Sequence, residues 1–214
     1  MKQVKNLWVG FQVSFSGSIP FGYLNLVGFE IYKKSGLDNL FLFLLGIIFV
    51  EFWVIYFTLL FAKELMKNKK LMKGIDFLAV FFMLGLAFVF YTHSSSTSNK
   101  HSFTERYMLY SPFIIGILLN CFNFLQLPFW TGWNLYLIKE NHISMEKNYK
   151  YYYIAGTLVG VFSGMLSLIL ILQFIFIYTS LVYDNLMTVF IPFLFITLAG
   201  IQVFKVYNRY FKSL

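Results

Sequence analysis

Asn39-Leu-Phe-Leu-Phe-Leu-Leu-Gly46-Ile-Ile-Phe-Val-Glu51-Phe-Trp-Val-Ile-Tyr-Phe-Thr58-Leu-Leu-Phe-Ala62 is an apolar run interrupted by a single acid. It exceeds the ~20 residues that a helix needs to cross hydrocarbon. It is far longer than a barrel strand and lacks strict alternation. Five further runs carry no charge: 7–29, 77–91, 107–138, 151–183 and 185–204. Six such runs in 214 residues leave no length for an additional soluble domain. The composition agrees, with 59% hydrophobic and only 12% charged residues, against about 25% charged in a soluble domain. A soluble enzyme, a disordered chain and a disulfide scaffold are excluded. The expected fold is all-α: a polytopic membrane protein of six transmembrane helices. The runs 107–138 and 151–183 are too long for one straight span, so each should tilt, break or leave the hydrocarbon in part. The run 77–91 is short, and gains Ile75 if Asp76 sits at the membrane surface.

The connections between runs set the orientation. Thirteen Lys and Arg fall on the side of the two termini and four on the other. Basic residues collect in cytoplasmic loops, so both termini are expected in the cytoplasm, which requires an even number of spans. The same rule accounts for the net charge of +8 without nucleic acid as a partner. The basic start and the small residues Ser16-Gly17-Ser18 imitate a signal peptide, but those small residues sit mid-run and the span is needed for the count of six. Tyrosines near run ends, such as Tyr107, Tyr110 and Tyr151 to Tyr153, read as an interfacial aromatic belt. Cys121 is the one cysteine, so no internal disulfide or dithiol pair can form. His93 and His101 lack a third ligand at useful spacing and His142 stands alone in a loop, so no metal is expected.

The polar stretch 92–106 reads as an external linker. It divides the chain into a first three-helix half, 1–91, and a second, 107–214. An odd number of spans per half means that homologous halves would lie inverted, a transporter architecture with its site near the midplane at broken helices. Pro20 and Pro128 each lie well inside the first run of their half, and Gly46 and Gly156 follow in the second. A proline in a helix interior removes a hydrogen bond and clashes with the carbonyl four residues back, and in lipid that carbonyl must find another partner. Ser16, Ser18, Asn25, Asn120, Asn123 and Gln126 lie close enough to these prolines either to repair kinks or to bind a polar solute. Small residues recur at every fourth position, Ser14-Ser18-Gly22 and Gly156-Gly160-Gly164, a pattern that lets helices approach closely.

Glu51 is the most informative residue. Helical spacing puts Leu44, Ile47, Ile48, Val54 and Ile55 on its face, with Thr58 two turns on. An acid at mid-span is costly in hydrocarbon, so it should face the protein interior or a water-filled cavity. There it is either a proton-coupling group or a structural acid bonded to an amide or hydroxyl of another span. No GxSxG elbow, phosphate-cradling glycine loop, zinc-spaced histidine pair or CxxC is present, so an enzyme is not expected, nor any cofactor.

The order of these features resembles the bacterial amino-acid exporter family of the lysine/homoserine exporter type. The resemblance rests on Gly17-Ser-Ile-Pro20-Phe-Gly22-Tyr-Leu-Asn25, on Glu51 in the second span, and on Asn123 to Trp130 in the fourth. It implies proton-driven export of an amino acid or similar small metabolite across the inner membrane. The implied solute site takes in Pro20, Gly22, Tyr23, Asn25, Asn120, Asn123, Gln126, Pro128 and Trp130, with Glu51 as the proton-coupling group. Partners would be the solute, protons and lipid; a homodimer is left open. The alternative is a non-transporting helical protein acting as partner or assembly factor of another complex.

Overall fold

The computed structural model describes residues 2–18, 22–68, 111–146, 148–177 and 191–210, with residues 70, 73, 74, 76–78, 80, 81, 84, 85, 87 and 88 of the third run. Pro20, the linker 92–106 with His93 and His101, and Tyr107 and Tyr110 lie outside these residues. The described residues are helical, without strands: α1 (Lys2–Ser18), α2 (Tyr23–Lys67), α3 (Pro112–Cys121), α4 (Gln126–Lys139), α5 (Tyr149–Ile177) and α6 (Ile191–Tyr210). Two of them, α2 and α5, are long and apolar enough to cross a membrane, and α3 with α4 makes a third if that bent pair is one crossing.

The run 7–29 was expected to form one span. Its interior proline was expected to break it, and α1 ends at Ser18 while α2 starts at Tyr23. The basic stretch around Lys33 and Lys34 was expected to form a loop; it is helical up to a single non-helical residue, Gly36 (φ 81°, ψ −176°). That positive φ suits glycine, which has no Cβ to clash. The chain folds back there, since a Cβ on Gly28 would lie 3.2 Å from the ring of Phe43 and 3.5 Å from Leu40. In a straight helix, 15 residues would separate such groups by about 22 Å.

The core lies between α2 and α5. Phe29, Leu40, Phe43, Leu44, Ile47, Ile55 and Leu59 of α2 pack in one cluster with Tyr153, Ile154, Val161, Met165, Leu168 and Ile169 of α5. The opposite face of α2 shows Phe49, Trp53, Phe57 and Phe61 to the outside, each about half exposed. An apolar outer face of this kind is compatible with a hydrocarbon solvent.

Two close crossings organise the helices, and they share one rule. In the first, α1 meets α5: a side chain on Gly10 would run into the carbonyl of Tyr153, and one on Gly156 into the carbonyl of Leu7. In the second, α2 meets α3: a side chain on Gly46 would run into the carbonyl of Phe113, and one on Gly116 into that of Phe43. In both, each glycine faces the carbonyl three residues before the partner's glycine. Gly160 and Gly164 extend the first crossing against Phe11 and Phe15, so the small-residue repeat of α5 packs helices as expected.

Asp76 precedes the third apolar run. It is buried and accepts a hydrogen bond from Gln202 Nε2 of α6 at 3.2 Å. The amide offsets the loss of water around the acid.

Candidate functional site

Pro128 decides where the run 107–138 breaks. Its ring conflicts with the carbonyl of residue 124, so a helix cannot pass through that point. α3 stops at Cys121, α4 restarts at Gln126, and the two are bent by 72°. Pro128 therefore sits in the first turn of α4 rather than kinking a helix interior, and there its missing N–H costs little.

The break leaves few backbone groups without partners. Leu118 O accepts from Phe122 N at 3.4 Å, and Asn120 O accepts from Asn123 N at 3.1 Å. Asn120 O also accepts from Gln126 Nε2 at 2.9 Å, and Leu119 O accepts from the Tyr23 hydroxyl at 2.7 Å. The first N–H groups of α4 are used too: Gln126 N donates to Asn123 O at 3.2 Å, Leu127 N to Phe124 O at 3.3 Å and Phe129 N to Leu125 O at 3.3 Å. At the other break Asn25 Nδ2 donates to Ser18 O at 3.1 Å. Each break is thus tied by an amide reaching back from the following helix.

Glu51 lies against this second break and is 6% exposed. Leu44, Ile47, Ile55 and Thr58 on its face are buried, with Ile48 and Val54 partly so. Asn120 Nδ2 donates to Glu51 Oε2 at 3.1 Å and to Ile47 O at 3.0 Å. Trp130 Nε1 donates to Glu51 Oε1. Both carboxyl oxygens therefore accept from N–H groups of the second half. Among the described residues no Lys or Arg pairs with the acid, and no group of His, Cys, Asp and Glu could hold a metal ion.

Of the residues expected at the site, Glu51, Asn120, Gln126 and Trp130 form one buried cluster. Tyr23 adjoins it through Leu119. Asn123 is half-buried and reaches Asn120 Oδ1 only at 3.5 Å. Asn25 and Gly22 serve the start of α2, where Gly22 O accepts from Asn25 N at 3.0 Å and Leu26 N at 3.3 Å. Gly17 touches Phe129, whose Cζ would lie 2.9 Å from a Cβ there. The residues flanking 19–21 thus meet those flanking 122–125.

A second buried network was missed in the sequence. Tyr153 donates to Asn134 Oδ1 at 2.8 Å, Asn134 Nδ2 to Thr58 Oγ1 at 3.0 Å, and Thr58 Oγ1 to Val54 O at 2.6 Å. Tyr153 is wholly buried and does not belong to the aromatic belt expected of it. The available signal was spacing: Thr58 is two turns from Glu51, and Asn134 one turn from Trp130. Beyond it, the buried Asn6 donates to Ser144 O at 2.8 Å and Tyr149 O at 2.9 Å, fastening α1 to the loop before α5.

No protein-family model, no curated protein and no solved structure matches the chain.

Proposed function

We propose that this chain is a six-span protein of the bacterial inner membrane, built as two inverted three-helix halves, that exports an amino acid or related small metabolite in exchange for protons. One observation carries the reading: a mid-helix acid on α2, buried and held by Asn120 and Trp130 from either side of a helix break. Charge at such depth is expensive and is found where ions or solutes pass. The matched glycine crossings support inverted halves, since the first helix of each half packs on the long helix of the other by one rule. Orientation follows the charge count. That the N-terminal helix, the loop before α5 and the end of α2 share one side is supported by Asn6, which joins the first to the second, and by Lys150 Nζ lying 5.7 Å from the ring centre of Tyr56 on the later part of α2.

In this reading Glu51 takes a proton from outside and releases it inside, while the solute occupies the cluster in the alternate state. Entry of one proton across ~100 mV supplies about 2.3 kcal/mol, and one pH unit adds about 1.4 kcal/mol. One-for-one exchange with a solute of no net charge then supports a gradient of several hundred-fold, on the order of the sum.

The test is metabolite export from a deletion strain carrying the wild-type chain or Glu51→Gln. The glutamine keeps the size of the side chain and its acceptor oxygen but cannot titrate. The variant is expected to insert normally and lose uphill export. Export against a gradient at the wild-type rate would make Glu51 a structural acid.

A further inference from the structure

We infer that Glu51 is a proton-sensitive clamp on the α3–α4 break: its carboxylate pins both limbs of the break to α2, and the neutral acid releases the α4 limb at Trp130. This rests on reading Glu51 as a group that takes and releases a proton, and it names what that proton does to the fold.

The two carboxyl oxygens serve different limbs. Oε2 accepts from Asn120 Nδ2, near the end of α3, at 3.1 Å. Oε1 accepts from Trp130 Nε1, in the second turn of α4. An ionised carboxylate only accepts, on both oxygens, whereas a carboxylic acid carries an O–H donor on one of them. Protonation therefore turns one of the two acceptors into a hydroxyl. It also removes the charge that strengthens both bonds.

The limb that yields is α4. Asn120 Nδ2 donates to Ile47 O as well, at 3.0 Å, and the crossing of Gly46 with Gly116 holds α3 against α2. An indole has a single N–H, so Trp130 cannot share its donor in the same way. α4 is bonded to α2 at successive turns, by Trp130 on Glu51 and by Asn134 Nδ2 on Thr58 Oγ1 at 3.0 Å. Of these two acceptors only Glu51 titrates. Gln126 Nε2 on Asn120 O, at 2.9 Å, has no titrating partner either and keeps the limbs joined at the break.

The other titratable groups on the helices around Glu51 act elsewhere. Tyr23 of α2 lies within electrostatic reach of Glu51 and donates to Leu119 O at 2.7 Å. α5 brings Tyr153, bonded to Asn134, and Lys150, over the ring of Tyr56. α4 brings Tyr136 and Lys139, and α3 the exposed Cys121. Phenols and lysines ordinarily titrate near pH 10 and thiols near about 8.5. The exposed His142, its ring centre 5.8 Å from that of Tyr136, titrates near neutrality and is the group to control for.

The experiment uses the purified full chain in nanodiscs between about pH 4 and pH 8. In one sample Trp8→Phe, Trp53→Phe and Trp133→Phe leave Trp130 as the source of the indole N–H resonance. In another, spin labels sit on cysteines at positions 118 and 132, exposed on the two limbs, with Cys121→Ser. As pH falls the indole proton should move upfield in one step, as a lost hydrogen bond requires, and the 118–132 distance should change with the same midpoint. Glu51→Gln, whose amide has one acceptor oxygen, should hold both readouts at their low-pH values at every pH. Trp130→Phe should hold the low-pH distance at every pH, and His142→Gln should leave both titrations in place. Should Glu51→Gln fail to fold, the wild-type titration and Trp130→Phe decide. A pH-independent indole signal, a titration abolished by His142→Gln, or a fixed 118–132 distance overturns the proposal. Proton-driven export with a pH-independent Trp130 overturns it and leaves the export reading standing; a titrating Trp130 and a moving break without uphill export do the reverse.

Discussion

Glu51 on α2 and Asn120 on α3 are joined by a 3.1 Å hydrogen bond just beyond the crossing at which Gly46 and Gly116 bring the two backbones together. Asn120 lies four residues after Gly116, and Glu51 five after Gly46, so the close approach brings a short amide within reach of the acid. A bulkier crossing would move the two helices apart and leave a buried carboxyl without this donor.

Replacing Asn120 by Ala should be among the more damaging amide substitutions. It strips a donor from Glu51 and from Ile47 O in a wholly buried place. Unmade buried bonds cost about 1–3 kcal/mol each. Thermal unfolding in detergent should show a clear loss for Asn120→Ala and little for Asn123→Ala, whose side chain has one described bond, 3.5 Å long. Equal losses would contradict the assigned geometry.

Gly46→Ala and Gly156→Ala should each destabilise, since the added methyl meets a backbone carbonyl of the facing helix, and overpacking of this kind costs typically about 1–3 kcal/mol. Gly132→Ala meets nothing within 4 Å. It should be neutral or slightly stabilising, by up to about 1 kcal/mol, as expected when a glycine in a helix is replaced by alanine. The comparison is read as unfolding temperature of the three variants in one detergent.

Tyr153→Phe removes the hydroxyl that donates to Asn134. The expected loss is about 1 kcal/mol, and Asn134→Leu should lose more because it abandons both Tyr153 and Thr58. The double variant should lose less than the two single losses added together, since the partners share one network. Full additivity would separate them.

Cysteines at positions 17 and 129, with Cys121→Ser, should be joined by a short bismaleimide, because Gly17 packs on Phe129. Cysteines at 17 and 174 serve as the control. Absence of the first cross-link in correctly inserted protein would displace the meeting of the two breaks.

Both termini should be cytoplasmic. A reporter active only in the periplasm is expected to be silent at Leu214 and active near Ser96, two positions that lie outside the described residues. A periplasmic C-terminus would remove both the orientation and the six-span count.

The sequence by itself determined what depends on neighbours along the chain. Apolar runs far longer than strands make helices, and the lack of charge makes their outer faces fit for lipid. Pro128 forces a break on its N-terminal side, because its ring excludes a helical carbonyl four residues back. Helical spacing around Glu51 placed Ile47, Ile55 and Thr58 on an inward face, as found. What lies opposite that face was decided only by the tertiary structure. Asn120 and Trp130 stand 69 and 79 residues away in the chain, and period alone reports direction, not partner. Tyr153 illustrates the difference: its place at a run end suggested the interface, yet the α1–α5 crossing carries it inside, to Asn134. Gly36 likewise turns the chain alone, where the basic residues before it suggested a loop. The partners of Glu51 and the burial of Tyr153 follow from how the helices cross, and the close crossings are made by pairs of glycines on different helices, each of which has meaning only when its partner is in place.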